Sequence, residues 1–152
     1  MINIRSKSGF TLIELMIVVA ISTILTSISF SAYRMFANRA RAHEAVNVMA
    51  IIRTAQISHK SINDVYLALE AHPSEIPSDY VQWGDPEENW HKLGIDIMRR
   101  VRYQYVGEAG NTNNIATSFR ITAQSDFDRQ GEPYDTWTLA NNEPLIHTNQ
   151  YK

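Results

Sequence analysis

The sequence predicts an α+β protein: one long N-terminal helix, half membrane-spanning and half amphipathic, packed on an antiparallel sheet of three or four strands. Three observations carry that expectation. No charged residue occurs between Glu14 and Arg34. No glycine or proline interrupts residues 10–58. In the last third, short runs alternate apolar and polar side chains, the period of a half-buried strand.

The helix is the element that organises the chain. Residues 15–33 form an uncharged apolar run of 19 residues, about 28 Å as a helix, which matches the span of a bilayer core. Glu14 stands at its start. An ionisable group inside a membrane span costs about 2.5–3.5 kcal/mol at the centre on insertion scales and needs a partner. At the cytoplasmic interface, beside a helix N-terminus, a carboxylate is tolerated without one. Arg5 and Lys7 precede the span with no acid among residues 1–9, which orients the helix with its N-terminus in the cytoplasm. A secretory signal peptide is the competing reading, since Ser29-Phe30-Ser31 before Ala32 resembles a small-x-small cleavage site. The apolar segment is longer than the 7–15 residues usual for such signals.

The outer half of the span is rich in small hydroxyl residues, Ser22, Thr23, Thr26, Ser27, Ser29 and Ser31. These permit close helix–helix approach and bond back to carbonyls. Beyond the span, Ala42, Ala45, Val46, Met49 and Ile52 repeat at three and four, with Arg39, Arg41, Glu44 and Arg53 elsewhere on the cylinder. A continuous helix of about 50 residues is about 75 Å long, more than a head of this size covers. The apolar half is therefore expected to project and to be buried by lipid or by copies of itself.

The pattern breaks near Asn63. Pro73, Pro77, Pro86, Gly84 and Gly94 mark residues 61–100 as an irregular loop with at most short helical turns. Its Tyr80, Trp83 and Trp90 read either as an exposed contact patch or as a cluster tucking the loop onto the sheet. Strand patterns follow at 102–106, 117–123 and 136–139, with Phe119, Ile121 and Ala123 on one face and Asn141-Asn142 closing the third. Residues 107–114 read as a polar turn, and 145–148 as a short edge strand. The expected organisation is a cleaved basic leader (1–9), an apolar helix (10–33), its amphipathic continuation (34–60) and a globular head (61–152), whose sheet and C-terminal loop occupy 101–152.

The run Lys7-Ser8-Gly9-Phe10-Thr11-Leu12-Ile13-Glu14-Leu15, continuing to Ile21, resembles the class III signal of type IV prepilins and of the pseudopilins of type II secretion. The resemblance implies cleavage between Gly9 and Phe10 by prepilin peptidase and N-methylation of Phe10. It assigns Glu14 to neutralise the terminal amine of a neighbouring subunit during assembly. An α-amino group is mostly cationic at neutral pH, and two opposite charges in hydrocarbon are far less costly paired than apart. Implied partners are copies of the chain in a helical filament, the peptidase, the pilus assembly machinery and the inner membrane that holds the precursor. The implied destination is a cell-surface filament. Many pilins carry a proline near the position of Ser31 and close a C-terminal loop with a disulfide; this chain has neither the proline nor any cysteine.

Asp126, Asp128 and Gln130 alternate before Gly131, with Asp135 following. Alternate oxygen ligands on a tight loop suit calcium, and the run resembles the calcium loop of major pseudopilins. A polar turn between strands is the other reading, because Gln130 replaces an acid, Arg129 intrudes and no bidentate glutamate closes the set. No H-E-x-x-H, G-x-S-x-G or phosphate-binding glycine loop occurs, and the five histidines lack metal spacing, so no enzyme is expected. Arg99, Arg100 and Arg102 form a basic cluster beside Tyr103. Formal charge is -2 and becomes more negative once the basic leader is removed, which argues against nucleic acid as a partner. The expected function is a structural subunit of a type IV pilus-like filament. The alternatives are a type II secretion pseudopilin and, in a different class, a single-pass anchored periplasmic binding domain that does not polymerise.

Overall fold

The computed structural model describes residues 9–97, 100–112, 115–127, 129, 131 and 134–148; within these, the side chains at 31, 34, 35, 111, 112, 115 and 116 are left undescribed. Two compact units compose the chain, Met1–Arg39 and Ala40–Lys152. Helix α1, Leu12–Asn63, contributes to both. In the first unit its residues Leu12–Phe30 are long and apolar enough to cross a membrane, and none of them is buried.

From Ala40 onward α1 has two unlike faces. Ala42, Ala45, Val48, Met49, Ile52 and Gln56 are buried, while Ala50, Ile51, Thr54, Ser58 and Ile62 are exposed. Val48 takes the buried position expected of Val46, which is only half-buried. The helix ends where Asp64 adopts a left-handed conformation, φ 63, its amide bonding to Lys60 O at 2.9 Å. A short polar side chain tolerates that cap conformation.

The connecting segment holds more regular structure than its prolines suggest. It contains β1 (Leu69–His72), β2 (Val81–Gln82) and α2 (Glu88–Lys92), followed by β3 (Arg100–Val101). Strand β1 joins the main sheet, which has five strands instead of the expected three or four: β1, β4 (Gln104–Thr112), β5 (Ile115–Ser125), β6 (Asp135–Ala140) and β7 (Ile146–Thr148), all antiparallel and in the order β1-β4-β5-β6-β7. Four residues, Leu-Glu-Ala-His, are too few to show alternation in sequence, so β1 was hidden. β2 and β3 pair separately. The stretch expected to be a polar turn instead extends β4 to Thr112, because pairing with β5 outweighs its low strand propensity. Asn113 and Asn114 lie outside the described residues.

The sheet's inner face supplies Tyr105, Phe119, Ile121, Ala123 and Leu139 to one core with Tyr103, the buried face of α1, and Trp83 and Trp90. The two tryptophans meet edge to face at 5.2 Å, and His72 packs on Trp83 at 4.6 Å. Trp90 Nε1 donates to Glu70 O at 3.0 Å and Asn89 Nδ2 to Ala68 O at 2.9 Å, so α2 bonds to β1 and to the chain entering it. These tryptophans form the tucking cluster. Tyr80 stands apart from it, 48% exposed.

Gly107 lies where β1 and β4 come closest: a Cβ there would meet Leu69 Cβ at 2.9 Å and Cγ at 3.0 Å. Leu69 is buried and cannot swing away. Gly107→Ala is therefore expected to destabilise the fold by about 1–3 kcal/mol, as overpacking does. A thermal melt checks this, and an unchanged Tm would show that β1 can shift to make room.

Candidate functional site

The candidate site is built on the first turn of α1, where sequence makes a capping box. Thr11 precedes the helix and Glu14 follows three residues later, the T-x-x-E spacing that lets two side chains satisfy two orphan amides reciprocally. The Thr11 amide donates to Glu14 Oε2 at 2.9 Å, and the Glu14 amide donates to Thr11 Oγ1 at 3.3 Å. The Thr11 hydroxyl also donates to Oε2 at 2.7 Å. Glu14 thus has a partner within its own chain. Thr11 was missed as a site residue, although the capping-box spacing is plain in the sequence.

Around this cap Phe10, Leu12, Ile13, Leu15 and Met16 are all exposed. Gly9 is described and adjoins Phe10; residues 1–8, with Arg5 and Lys7, lie outside the described residues. Further along the span, hydroxyls turn onto the helix's own backbone: Thr23 Oγ1 bonds Val19 O at 2.7 Å and Thr26 Oγ1 bonds Ser22 O at 2.7 Å. Such back-bonding hides a hydroxyl from hydrocarbon without any neighbour. The Ser31 side chain is outside the described set.

Two polar junctions tie the second unit together. Glu44, half-buried on α1, accepts the Arg102 amide at 2.6 Å through Oε1 and meets the Arg102 guanidinium at 3.5 Å through Oε2. The guanidinium lies 3.5 Å from the centre of the Tyr80 ring, a cation–π contact. The basic cluster expected at 99–102 is therefore divided. Arg102 is engaged inside the fold, Arg100 is exposed, and Arg99 lies outside the described residues. Burial raises the Glu44 carboxyl above its ordinary value, with the Arg102 amide and charge pulling it partly back. Burial, with Glu44 nearby, also pushes the Tyr105 phenol up.

The second junction involves Asp135, 4% exposed. Tyr103 OH donates to its Oδ2 at 2.6 Å and His147 Nε2 meets its Oδ1 at 2.6 Å, with the His147 ring stacked 3.8 Å from Trp137. Both oxygens of Asp135 are thus engaged in holding β7 and Tyr103. Asp126 Oδ1 accepts the Gly131 amide at 3.3 Å, and its backbone O accepts the Arg129 amide at 3.2 Å. Arg129 and Gly131 both adopt left-handed conformations, φ 59 and φ 79, as a tight turn requires. Asp128 and Gln130 lie outside the described residues. Among the described residues no three potential metal ligands converge.

Residues 4–30 match the family model described as the prokaryotic N-terminal methylation motif. Over most of its length the chain is similar to named pilins. It is 25% identical over 136 residues to a fimbrial protein of Neisseria meningitidis serogroup B, covering 90% of this chain and 68% of that relative. It is 26% identical over 137 residues to the type IV major pilin protein PilE1 of Neisseria gonorrhoeae, covering 90% of this chain and 71% of that one. A second gonococcal protein, PilE, is 26% identical over 131 residues, covering 86% and 66%. The chain spans about two thirds of the length of these relatives. No solved structure shows a significant match.

Because Glu44 binds its proton more tightly folded than unfolded, its contribution to stability is fully present below the ordinary value near 4.5 and is lost as pH rises through the raised folded value. Tm is therefore expected to rise as pH falls from 7.5 to 4.5. Glu44→Gln, which keeps an acceptor for the Arg102 amide, should raise Tm at pH 7.5 and flatten that dependence. Thermal melts of both proteins across this range provide the check; an unchanged slope in the variant assigns the dependence to another group.

Proposed function

We propose that this member of the type IV pilin family is a structural subunit of a pilus-like filament, made as a membrane-held precursor, cut between Gly9 and Phe10, N-methylated on Phe10 and assembled through its apolar helix. The observation that carries this reading is the first half of α1: a membrane-length run of apolar side chains, none buried within the chain, headed by a motif of the N-terminal methylation type. Apolar surface of that extent is stable only in lipid or against other protein. Repetition of one heterologous contact gives an open helical assembly.

In this reading Glu14 changes partners. In the single chain it is the acceptor of the Thr11 cap. In the filament its carboxylate meets the cationic terminal amine at Phe10 of a neighbour. The Thr11 bonds solvate the carboxylate but leave its charge uncompensated, and the exchange supplies an opposite charge, which makes the carboxylate far less costly in hydrocarbon. The cap therefore keeps the carboxylate satisfied before assembly without competing fully with the amine. Prepilin peptidase and the assembly machinery are the partners this processing calls for, and the inner membrane and then the cell surface are the places. A type II secretion pseudopilin uses the same chemistry; the similarity to a fimbrial protein and a major pilin supports the pilus reading.

Glu14→Ala is expected to leave the head folded and the precursor in the membrane while abolishing sheared surface filaments in electron micrographs. Sequencing the mature N-terminus of the parent chain should begin at Phe10. Filaments in normal number from the variant would take Glu14 out of assembly, and a mature chain starting at Ala32 would overturn the reading in favour of a domain released from a secretory signal peptide, since it would lack the span.

A further inference from the structure

On the buried face of α1 in the second unit, Ala45, Val48, Met49 and Ile52 join the core cluster, and apolar attraction is non-directional, so by itself it selects a rotation and register less sharply than a directional bond does. Glu44 and Gln56 each make two directional polar contacts with the chain beyond the helix. Glu44 takes the Arg102 amide and guanidinium just before β4. Gln56, wholly buried, pairs with both backbone groups of Leu67 just before β1: its Nε2 donates to Leu67 O at 2.7 Å, and the Leu67 amide donates to its Oε1 at 3.0 Å. The two lie twelve residues apart, about 18 Å along the helix. Arg53 adds a single bond to Asn141 O at 3.2 Å, from a long side chain that can follow a shift.

We propose that Glu44 and Gln56 are positioning residues that fix the rotation and register of α1 against the head, and so decide which helix face is left outward. A polar group buried on an apolar face contributes less to stability than a good apolar replacement, and its best-attested use is to select one register over its neighbours. The outward face so fixed carries Ile51, Thr54, Ser58 and Ile62, which with Lys92 and Leu93 line a groove of about 610 Å³. Its importance for a filament rests on the proposed function, because every copy must present the same face for one contact to repeat; the positioning itself does not.

The absence of cysteine allows spin labels at two exposed positions, through Ile51→Cys on α1 and Arg120→Cys on β5, in the full chain held in detergent micelles. Electron–electron resonance is expected to give one narrow distance population. The double variant Glu44→Leu/Gln56→Leu should melt at a lower temperature, since Leu67 and Arg102 lose their partners, yet remain folded by near-ultraviolet circular dichroism at the temperature of measurement and split or broaden that population, with a register slip of one turn displacing the helix by about 5 Å. Glu44→Gln, which retains the acceptor for Arg102, should keep it narrow. A double variant with the parent's single distance overturns the proposal. Should the double variant fail to fold, Glu44→Leu and Gln56→Leu are measured singly, and unfolding of both assigns these residues to stability and overturns it equally. The distance is read on the monomer, so failure of the chain to polymerise does not bear on it.

Discussion

The constraint on which the rest depends is unburied apolar surface on a helix that has no partner of its own. From Leu12 to Phe30 no residue of α1 is buried among the described residues. Burial at about 25 cal/mol per Å² makes a surface of that size decisive, and both places that can supply it, a bilayer and a bundle of like helices, demand satisfied polar groups. The backbone meets that demand by being helical. Thr23 and Thr26 meet it by bonding to their own helix. Glu14 meets it through Thr11, whose hydrogen bonds satisfy the carboxylate oxygen but leave its charge unpaired. That incomplete compensation is what the proposed filament exploits.

The second unit answers the opposite need, a head fixed on the helix. Its core is aromatic and closely packed, with Trp83, Trp90, Tyr103 and Tyr105 fully buried. It lacks any disulfide, and its C-terminal strand is held instead by a polar clasp in which Asp135 joins His147 and Tyr103. Stacking of His147 on Trp137 adds apolar contact to the same strand. Deleting one partner would leave a buried carboxylate without its donor, which is why such pairs resist substitution more than their net stabilisation suggests.

Much of this was legible in the sequence, and the reasons differ by element. The uncharged run after Glu14 and the absence of helix breakers to residue 58 are long, strong signals, and α1 follows them. Phe119, Ile121 and Ala123 alternate cleanly and are buried as their period requires. β1 was hidden because four residues carry no readable period, and the outer part of β4 because Gly110 and Asn111 favour turns until β5 pairs with them. Thr11 was legible as half of a capping box but was overshadowed by the charge of Glu14. The pairing of Asp135 with His147 was not legible at all, since it joins residues twelve apart across a strand pair whose register sequence alone does not fix.

The central claim, that Glu14 leaves Thr11 for the terminal amine of a neighbour, is tested most directly by a filament reconstruction at side-chain resolution. The account predicts the Glu14 carboxylate within about 4 Å of the Phe10 nitrogen of an adjacent copy, the distance of an ion pair. A filament in which Glu14 still caps its own helix, with every neighbouring amine elsewhere, would contradict it.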